Sequence, residues 1–232
     1  MLNILVINTQ SIKSKILELE AFLIDKNFSL LGITEHWLNN IEAECLQIGS
    51  FSTASYFARS ARTASQYGGS LVLQHEGLRS IPIELCKKFS IENHIEICGI
   101  HLTDSNIFFI NIYRPPSGEL ECFFTNLSFL LHHINVLKNN VLIAGDFNVN
   151  FLCDNNLSTQ VCDFMACYNL IKLVHFPTRK LNCLDNIFTN INIDYCKTSP
   201  LDLALSDHTG IKLEMSILKG TSPNIDLIRT HR

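Results

Sequence analysis

The chain has 232 residues, 47% hydrophobic and only 17% charged, with a formal net charge of −4. That balance excludes a disordered chain. It also excludes a protein that coats nucleic acid by bulk positive charge, though not an enzyme with a local basic rim. Nine cysteines without a Cys-x-x-Cys pair argue against a secreted disulfide framework and a zinc ribbon. They read as small buried hydrophobes of a reducing compartment. No apolar run reaches the ~18 residues of a membrane helix, and Met1 to Ile7 is too short and lacks the basic start of a signal peptide. A soluble, intracellular protein is expected.

In chain order, Leu2 to Ile7 is an apolar strand ending on Asn8. Ser11 could cap a helix over ~12–26, whose Ile16, Leu19, Phe22 and Leu23 share one face. Ser29 to Thr34 is a second strand, ending on Glu35-His36-Trp37. A helical crossover favours parallel pairing, which would bring Asn8 and Glu35 out at one edge. Residues 50–63 look polar and irregular, with Arg59 and Arg62 among them. Tyr67-Gly68-Gly69 then leads into a strand over Ser70 to Gln74, followed by strands over Arg79 to Leu85 and Ile95 to Leu102. Ile107 to Tyr113 is the clearest strand, stopped by Arg114-Pro115-Pro116, since proline cannot continue a ladder.

Glu119 to about Leu137 reads as a helix. Val141 to Ala144 is a buried strand running into Gly145-Asp146-Phe147-Asn148. Alternate residues of an extended backbone point the same way. Asp146 and Asn148 should therefore leave together, with Phe147 turned into the core; the plainer alternative is an Asx turn. A helix over Ser158 to Leu170, a strand entered through Asp185, and Ser206-Asp207-His208 before a strand over Ile211 to Ile217 complete the chain. Residues 1–218 are expected to form one domain and 219–232 a polar tail or linker. No internal repeat is found.

Asn8, Glu35, Tyr113, Asp146, Asn148, Asp185, Asp207 and His208 all stand at or beside strand ends, where rigid scaffolds build sites. Singly, each has an ordinary structural explanation. Together, carboxylates and carboxamides suit a hard divalent ion, and Asp207-His208 suits a base oriented or charge-stabilised by a carboxylate. The other eight histidines, such as His36, read as structural.

The ordered set Asn8, Thr34-Glu35-His36-Trp37-Leu38, Tyr67-Gly68-Gly69, Tyr113-Arg114-Pro115-Pro116, Gly145-Asp146-Phe147-Asn148, Leu184-Asp185 and Ser206-Asp207-His208 resembles the endonuclease/exonuclease/phosphatase superfamily. Within it, the chain is most similar to the apurinic-endonuclease-like domain of non-LTR (LINE- and jockey-type) retrotransposons. The resemblance spans residues ~3–217. It implies an α/β fold: a four-layer α/β sandwich of two mixed sheets packed face to face and flanked by helices. It also implies Mg²⁺- or Mn²⁺-dependent cleavage of DNA that leaves a 3′-hydroxyl primer.

By position, Glu35 would be the principal metal ligand, with Asn8 beside it and Asp185 supporting the site or the metal. Asp146 would orient or deprotonate water, and Asn148 would hold the phosphate. His208 would stabilise the phosphate's developing charge, with Asp207 fixing or charging its ring, and Tyr113 would sit near the leaving group. Arg59, Arg62, Arg114, Arg179 and Lys180 would form a phosphate-contacting rim, and Thr178 is a further candidate substrate contact. The pattern departs at Gln10, where related elements often carry a basic residue, and in the short approach to Asp185. The expected protein is a monomeric domain acting on DNA in the nucleus, joined in the intact element to a C-terminal reverse transcriptase. This chain would then be a fragment, an excised domain or a decayed copy. Two other readings remain: a phosphatase or phosphodiesterase acting on inositol phosphates or lipids, and a catalytically silent, domesticated nucleic-acid-binding module.

Overall fold

A computed structural model describes residues 1–60, 67–153 and 155–216; the expected tail over 219–232 lies outside them. Strand β1 (Leu2–Asn8), helix α1 (Ile16–Leu23) and strand β2 (Leu30–Thr34) open the chain as a crossover unit. Its strands pair in parallel, with Asn8 opposite Thr34. The helix starts later than the expected Ser11 cap. Ser11 and Ile12 give their backbone N–H groups to the carbonyls of Glu35 and His36 and not to a helical turn. The chain continues through α2 (Asn40–Glu44), β3 (Gln47–Ile48), β4 (Phe51–Phe57), β5 (Ser70–His75), β6 (Ser80–Pro82), α3 (Leu85–Lys88), β7 (Glu96–Leu102) and β8 (Ile107–Tyr113). After α4 (Leu120–His133) come β9 (Asn140–Asp146), α5 (Asn156–Ala166), β10 (Ile171–Lys172), β11 (Asp185–Thr189), β12 (Cys196–Leu201) and β13 (Gly210–Met215).

One sheet has the order β12-β13-β1-β2-β5-β4-β3 and the other β10-β11-β9-β8-β7-β6. In the first, Ile4, Val6, Leu30 and Val72 face the other sheet, while Leu5, Ile7, Leu31, Ile33, Leu71 and Leu73 pack outward against α1 and Ala43 of α2. Helices α4 and α5 cover the second sheet with Phe123, Leu127, Val161 and Met165. Helix, sheet, sheet and helix make the four-layer α/β sandwich, as expected. No helix among the described residues is long and apolar enough to cross a membrane.

Two strands escaped the sequence pattern. The segment Phe51–Phe57, expected to be irregular, is β4; it buries only Phe51 fully and carries Ser, Thr and Tyr. Strand β12 is likewise polar and contains Pro200. Both lie at or next to a sheet edge, where hydrophobic alternation is not required. The cysteines are all free, but only Cys86, Cys98 and Cys183 are buried, and Cys45, Cys153 and Cys167 are exposed.

Gly145 closes β9 at φ +132, and a Cβ there would lie 2.0 Å from the Ile112 carbonyl oxygen on β8. Only glycine lets β9 pass this close and still deliver Asp146. Gly145→Ala is therefore expected to destabilise the protein by about 3 kcal/mol or more, read as a lowered urea midpoint.

Candidate active site

Parallel pairing puts the ends of β1, β2, β8 and β9 at one end of the sandwich, with Tyr113 opposite Asp146. The antiparallel strands β11 and β13 begin there. Asp185 pairs with Asp146, and His208 stands just before β13.

The Glu35 corner is held by backbone and by one buried ring. Glu35 and Trp37 both adopt left-handed φ, 51° and 55°. They give their N–H groups to Gly69 O at 2.9 Å and Gly68 O at 3.1 Å. His36 is fully buried, its Nδ1 accepting the Leu38 N–H at 3.0 Å and its Nε2 lying 2.9 Å from Phe57 O. That arrangement calls for a neutral ring carrying its proton on Nε2, and burial lowers its pKa to about 4. Gly69, at φ +96, has no room for a side chain, because a Cβ would lie 2.2 Å from the His36 ring. Its N–H is held by the Glu96 carboxylate at 2.5 Å, and that carboxylate takes Arg59 Nε at 2.6 Å. Arg59 is thus buried in an ion pair and is not a rim residue.

One carboxamide joins the two sheets. Asn8 Nδ2 donates to Glu35 Oε1 at 2.8 Å and to Asp146 Oδ2 at 2.7 Å, while its oxygen takes the Gln10 N–H at 3.1 Å. Asp146 Oδ1 accepts the Asn148 N–H at 2.8 Å in an Asx turn, with Asn148 at φ 49°. The Asx-turn reading of Gly-Asp-Phe-Asn holds, because Asn148 leaves the extended backbone, and Phe147 is buried among Phe123, Phe151 and Phe188 as expected. Asn148 Nδ2 donates to Arg114 O at 2.9 Å. Arg114 is buried and spends its guanidinium on the carbonyls of Phe147 and Gly118, at 3.1 and 2.9 Å. It clamps the loop and is not a rim cation.

His208 takes a different partner from the one expected. Its Nδ1 lies 2.8 Å from Asp185 Oδ2, whereas the nearest Asp207 oxygen is 3.9 Å from Nε2. Asp207 turns outward to Arg179 Nε at 2.8 Å. The turn forces this choice. Ser206 Oγ donates to Asn8 O at 2.6 Å and accepts the His208 N–H at 3.1 Å, which swings the imidazole inward and leaves its sequence neighbour outside. Thr178, expected at the substrate, is fully buried. Its hydroxyl accepts the N–H groups of Leu184 and Asp185 at 2.9 and 3.0 Å, so it positions Asp185. Arg179 and Lys180 remain at the surface, and Arg62 lies outside the described residues. Sequence reasoning passed over Ser206 as a positioning group. It also missed Lys15, whose Nζ binds the carbonyls of Thr9 and Gln10 and whose charge interacts with Asp207; nothing in the helical pattern marked it.

Burial, and then the neighbouring Asp185, raise Asp146 to about 8. Burial pulls His208 down, but the Asp185 hydrogen bond and the charges of Asp185 and Asp146 outweigh it, and the net shift is upward. Tyr113 is pushed up by burial, then by Glu35 and Asp146, so its hydroxyl keeps its proton. Burial raises Asp207, yet the Arg179 hydrogen bond and charge win and hold it low. Ligand atoms of Asp146, Asp185 and His208 lie within 4.8 Å of one another. Asp185 Oδ1 and His208 Nε2 are buried without a hydrogen-bond partner. Oxygen-rich carboxylates with unsatisfied atoms fit a hard divalent cation.

This geometry defines a buried cluster of carboxylates, a carboxamide and an imidazole at one end of an α/β sandwich. No protein-family model matches the sequence, and neither does any curated protein. Solved structures do match. The endonuclease domain of TRAS1, a telomere-specific non-LTR retrotransposon, superposes with a TM-score of 0.73 at 16% identity, covering 94% of this chain and 100% of that one. The AP endonuclease LMAP from Leishmania major gives 0.73 at 14% identity, covering 92% and 87%. The 3′ phosphatase NExo from Neisseria, bound to a product DNA hairpin, gives 0.69 at 15%, covering 93% and 100%. The chain has the fold of the endonuclease/exonuclease/phosphatase superfamily, whose members here are nucleases and phosphatases.

The buried His36 sets a pH limit on this site. A base whose folded pKa is depressed contributes stability that is complete above its unfolded value, 6.5, and is lost as pH falls toward about 4. In EDTA-containing buffer, stability is expected to drop by on the order of 3 kcal/mol between pH 7 and 4 from this group. His36→Gln should flatten that part of the denaturant-midpoint profile relative to the parent protein. An unchanged slope would refute the assignment.

Proposed function

We propose that this chain is a Mg²⁺- or Mn²⁺-dependent DNA-nicking endonuclease. It would be the apurinic-endonuclease-like domain of a non-LTR retrotransposon, spanning residues 1–218 and belonging to the endonuclease/exonuclease/phosphatase superfamily. It would hydrolyse one phosphodiester in target DNA to leave a 3′-hydroxyl primer. The wider assignment is a monomeric domain, coupled in the intact element to a C-terminal reverse transcriptase and acting in the nucleus. The observation that carries the reading is the hydrogen-bonded set Glu35–Asn8–Asp146, spanning both sheets, with the Asp185–His208 pair brought within 4.8 Å of Asp146. The likeness to the TRAS1 endonuclease domain along nearly the whole chain supports it.

Glu35 would hold the cation, with Asn8 and Asp185 beside it; once bound, the ion neutralises charge on the phosphate and lowers the pKa of water. Asp146, raised to about 8 by burial and Asp185, is close to the range that suits a general base. It ionises when positive charge stands near it and then orients or deprotonates the attacking water. His208, whose charged form Asp185 favours, directs its unpartnered Nε2 to a phosphate oxygen and stabilises the charge that develops there. Asn148 steadies the phosphate. Tyr113, which retains its proton, is suited to donate to the leaving oxygen. Arg179 and Lys180 supply a small basic rim for the backbone.

Supercoiled plasmid should pass to open circle with Mg²⁺ and remain intact with EDTA. His208→Ala is expected to lower the rate by roughly 10²–10⁴-fold. Asp207→Ala should cost far less, because Asp207 pairs with Arg179 and not with the ring. An Asp207 effect as large as that of His208 would overturn the assigned roles. Phosphate release without nicking would favour the phosphatase reading, which the NExo likeness supports.

A further inference from the structure

Beside the carboxylates stands an aromatic pair that the proposed chemistry does not use. The Trp37 and Tyr67 rings meet edge to face, with centroids 4.5 Å apart at 61°. Tyr67 is 60% exposed and Trp37 is half-buried. Trp37 is firmly mounted, and Tyr67 rests against it. Trp37 sits at φ 55°, its backbone N–H bound to Gly68 O at 3.1 Å and its indole N–H donating to Glu35 Oε2 at 3.3 Å. Tyr67 leads into the Gly68-Gly69 turn, which the buried Glu96 carboxylate holds through the Gly69 N–H. The indole hydrogen bond links Trp37 directly to the Glu35 carboxylate.

Beyond the small rim of Arg179 and Lys180, charge adds little to hold a polyanion here. The chain is net negative, the site is lined by acids, and the rim guanidinium of Arg179 is already paired with Asp207. An exposed tyrosine ring beside such a site suits the one uncharged part of a nucleic-acid strand, the face of a base. We propose that Tyr67, backed by Trp37, forms a stacking platform for a nucleobase next to the scissile phosphate, so that the enzyme grips a strand whose base is accessible at that step. The proposal rests on the nuclease reading of the site.

Trp37 is the only tryptophan of the chain, so its emission reports on the platform directly. The full chain in EDTA would be titrated with a short single-stranded oligodeoxynucleotide and with an equally long strand of abasic deoxyribose phosphates. The base-bearing strand should quench Trp37 and bind about tenfold or more tightly than the abasic one. In Mg²⁺, Tyr67→Leu should raise KM for nicking more than it lowers kcat, and Tyr67→Phe should restore it. Equal affinity and equal quenching with both strands, or no binding by either, would overturn the platform. So would a Tyr67→Leu variant with the parent KM. Selective quenching by a protein that never nicks would retain the platform and sink the nuclease reading. Nicking by a protein indifferent to bases would do the reverse.

Discussion

The candidate site depends on one carboxamide. Asn8, at the end of a central strand of one sheet, donates a single amide group to Glu35 of its own sheet and to Asp146 of the other. Asp146 is buried and has lost its hydration, so it needs a donor from the protein. Asn8 supplies that donor and ties Asp146 to Glu35 through the same amide. The site can therefore exist only where the two sheets are locked in fixed relation. Asn111 provides a second bolt, reaching from β8 across the interface to Ile33 O at 2.9 Å and Ser70 Oγ at 3.1 Å. Each is a buried polar group whose value lies in its several partners, since an unmatched one would cost more than it returned.

From that constraint follows the uneven electrostatics of the cluster. Asp146 and Asp185 lie opposite each other in adjacent strands, and burial with mutual repulsion drives Asp146 upward. The same two acids draw His208 toward its charged form. The cluster thus balances its own charge internally, with one imidazole set against neighbouring acids, and keeps buried atoms unsatisfied at the point where a cation or phosphate would arrive. Left-handed backbone at Glu35 and Asn148 adds local strain at the same place, as is common where a fold holds side chains in a working arrangement.

The arginines divide by burial. Arg59 and Arg114 support the corners that carry Glu35 and Asn148, one through a buried ion pair and the other through backbone carbonyls. Arg179 stays outside with Asp207. Two of the five basic residues expected at a rim, Arg59 and Arg114, are thus scaffolding. The surface left to meet a substrate is less cationic than their number suggests, which makes the aromatic pair near Glu35 the more telling feature.

The sequence alone determined the strand–helix–strand opening, the buried central strand and the list of polar residues at strand ends. Apolar runs and stop signals are local, and parallel pairing through a crossover brings strand ends to one edge whatever the details. The polar strand Phe51–Phe57 was not legible, because a strand near a sheet edge needs no hydrophobic face. Partners were not legible either. Asp207 adjoins His208 in the chain, yet Asp185 holds the ring; Thr178, Arg59 and Arg114 turned out to be braces. Only the tertiary structure decided these, because hydrogen-bond partners depend on which way a turn aims each side chain and on which strands lie opposite. Ser206, anchored to Asn8 across 198 residues of chain, settled the direction of the imidazole.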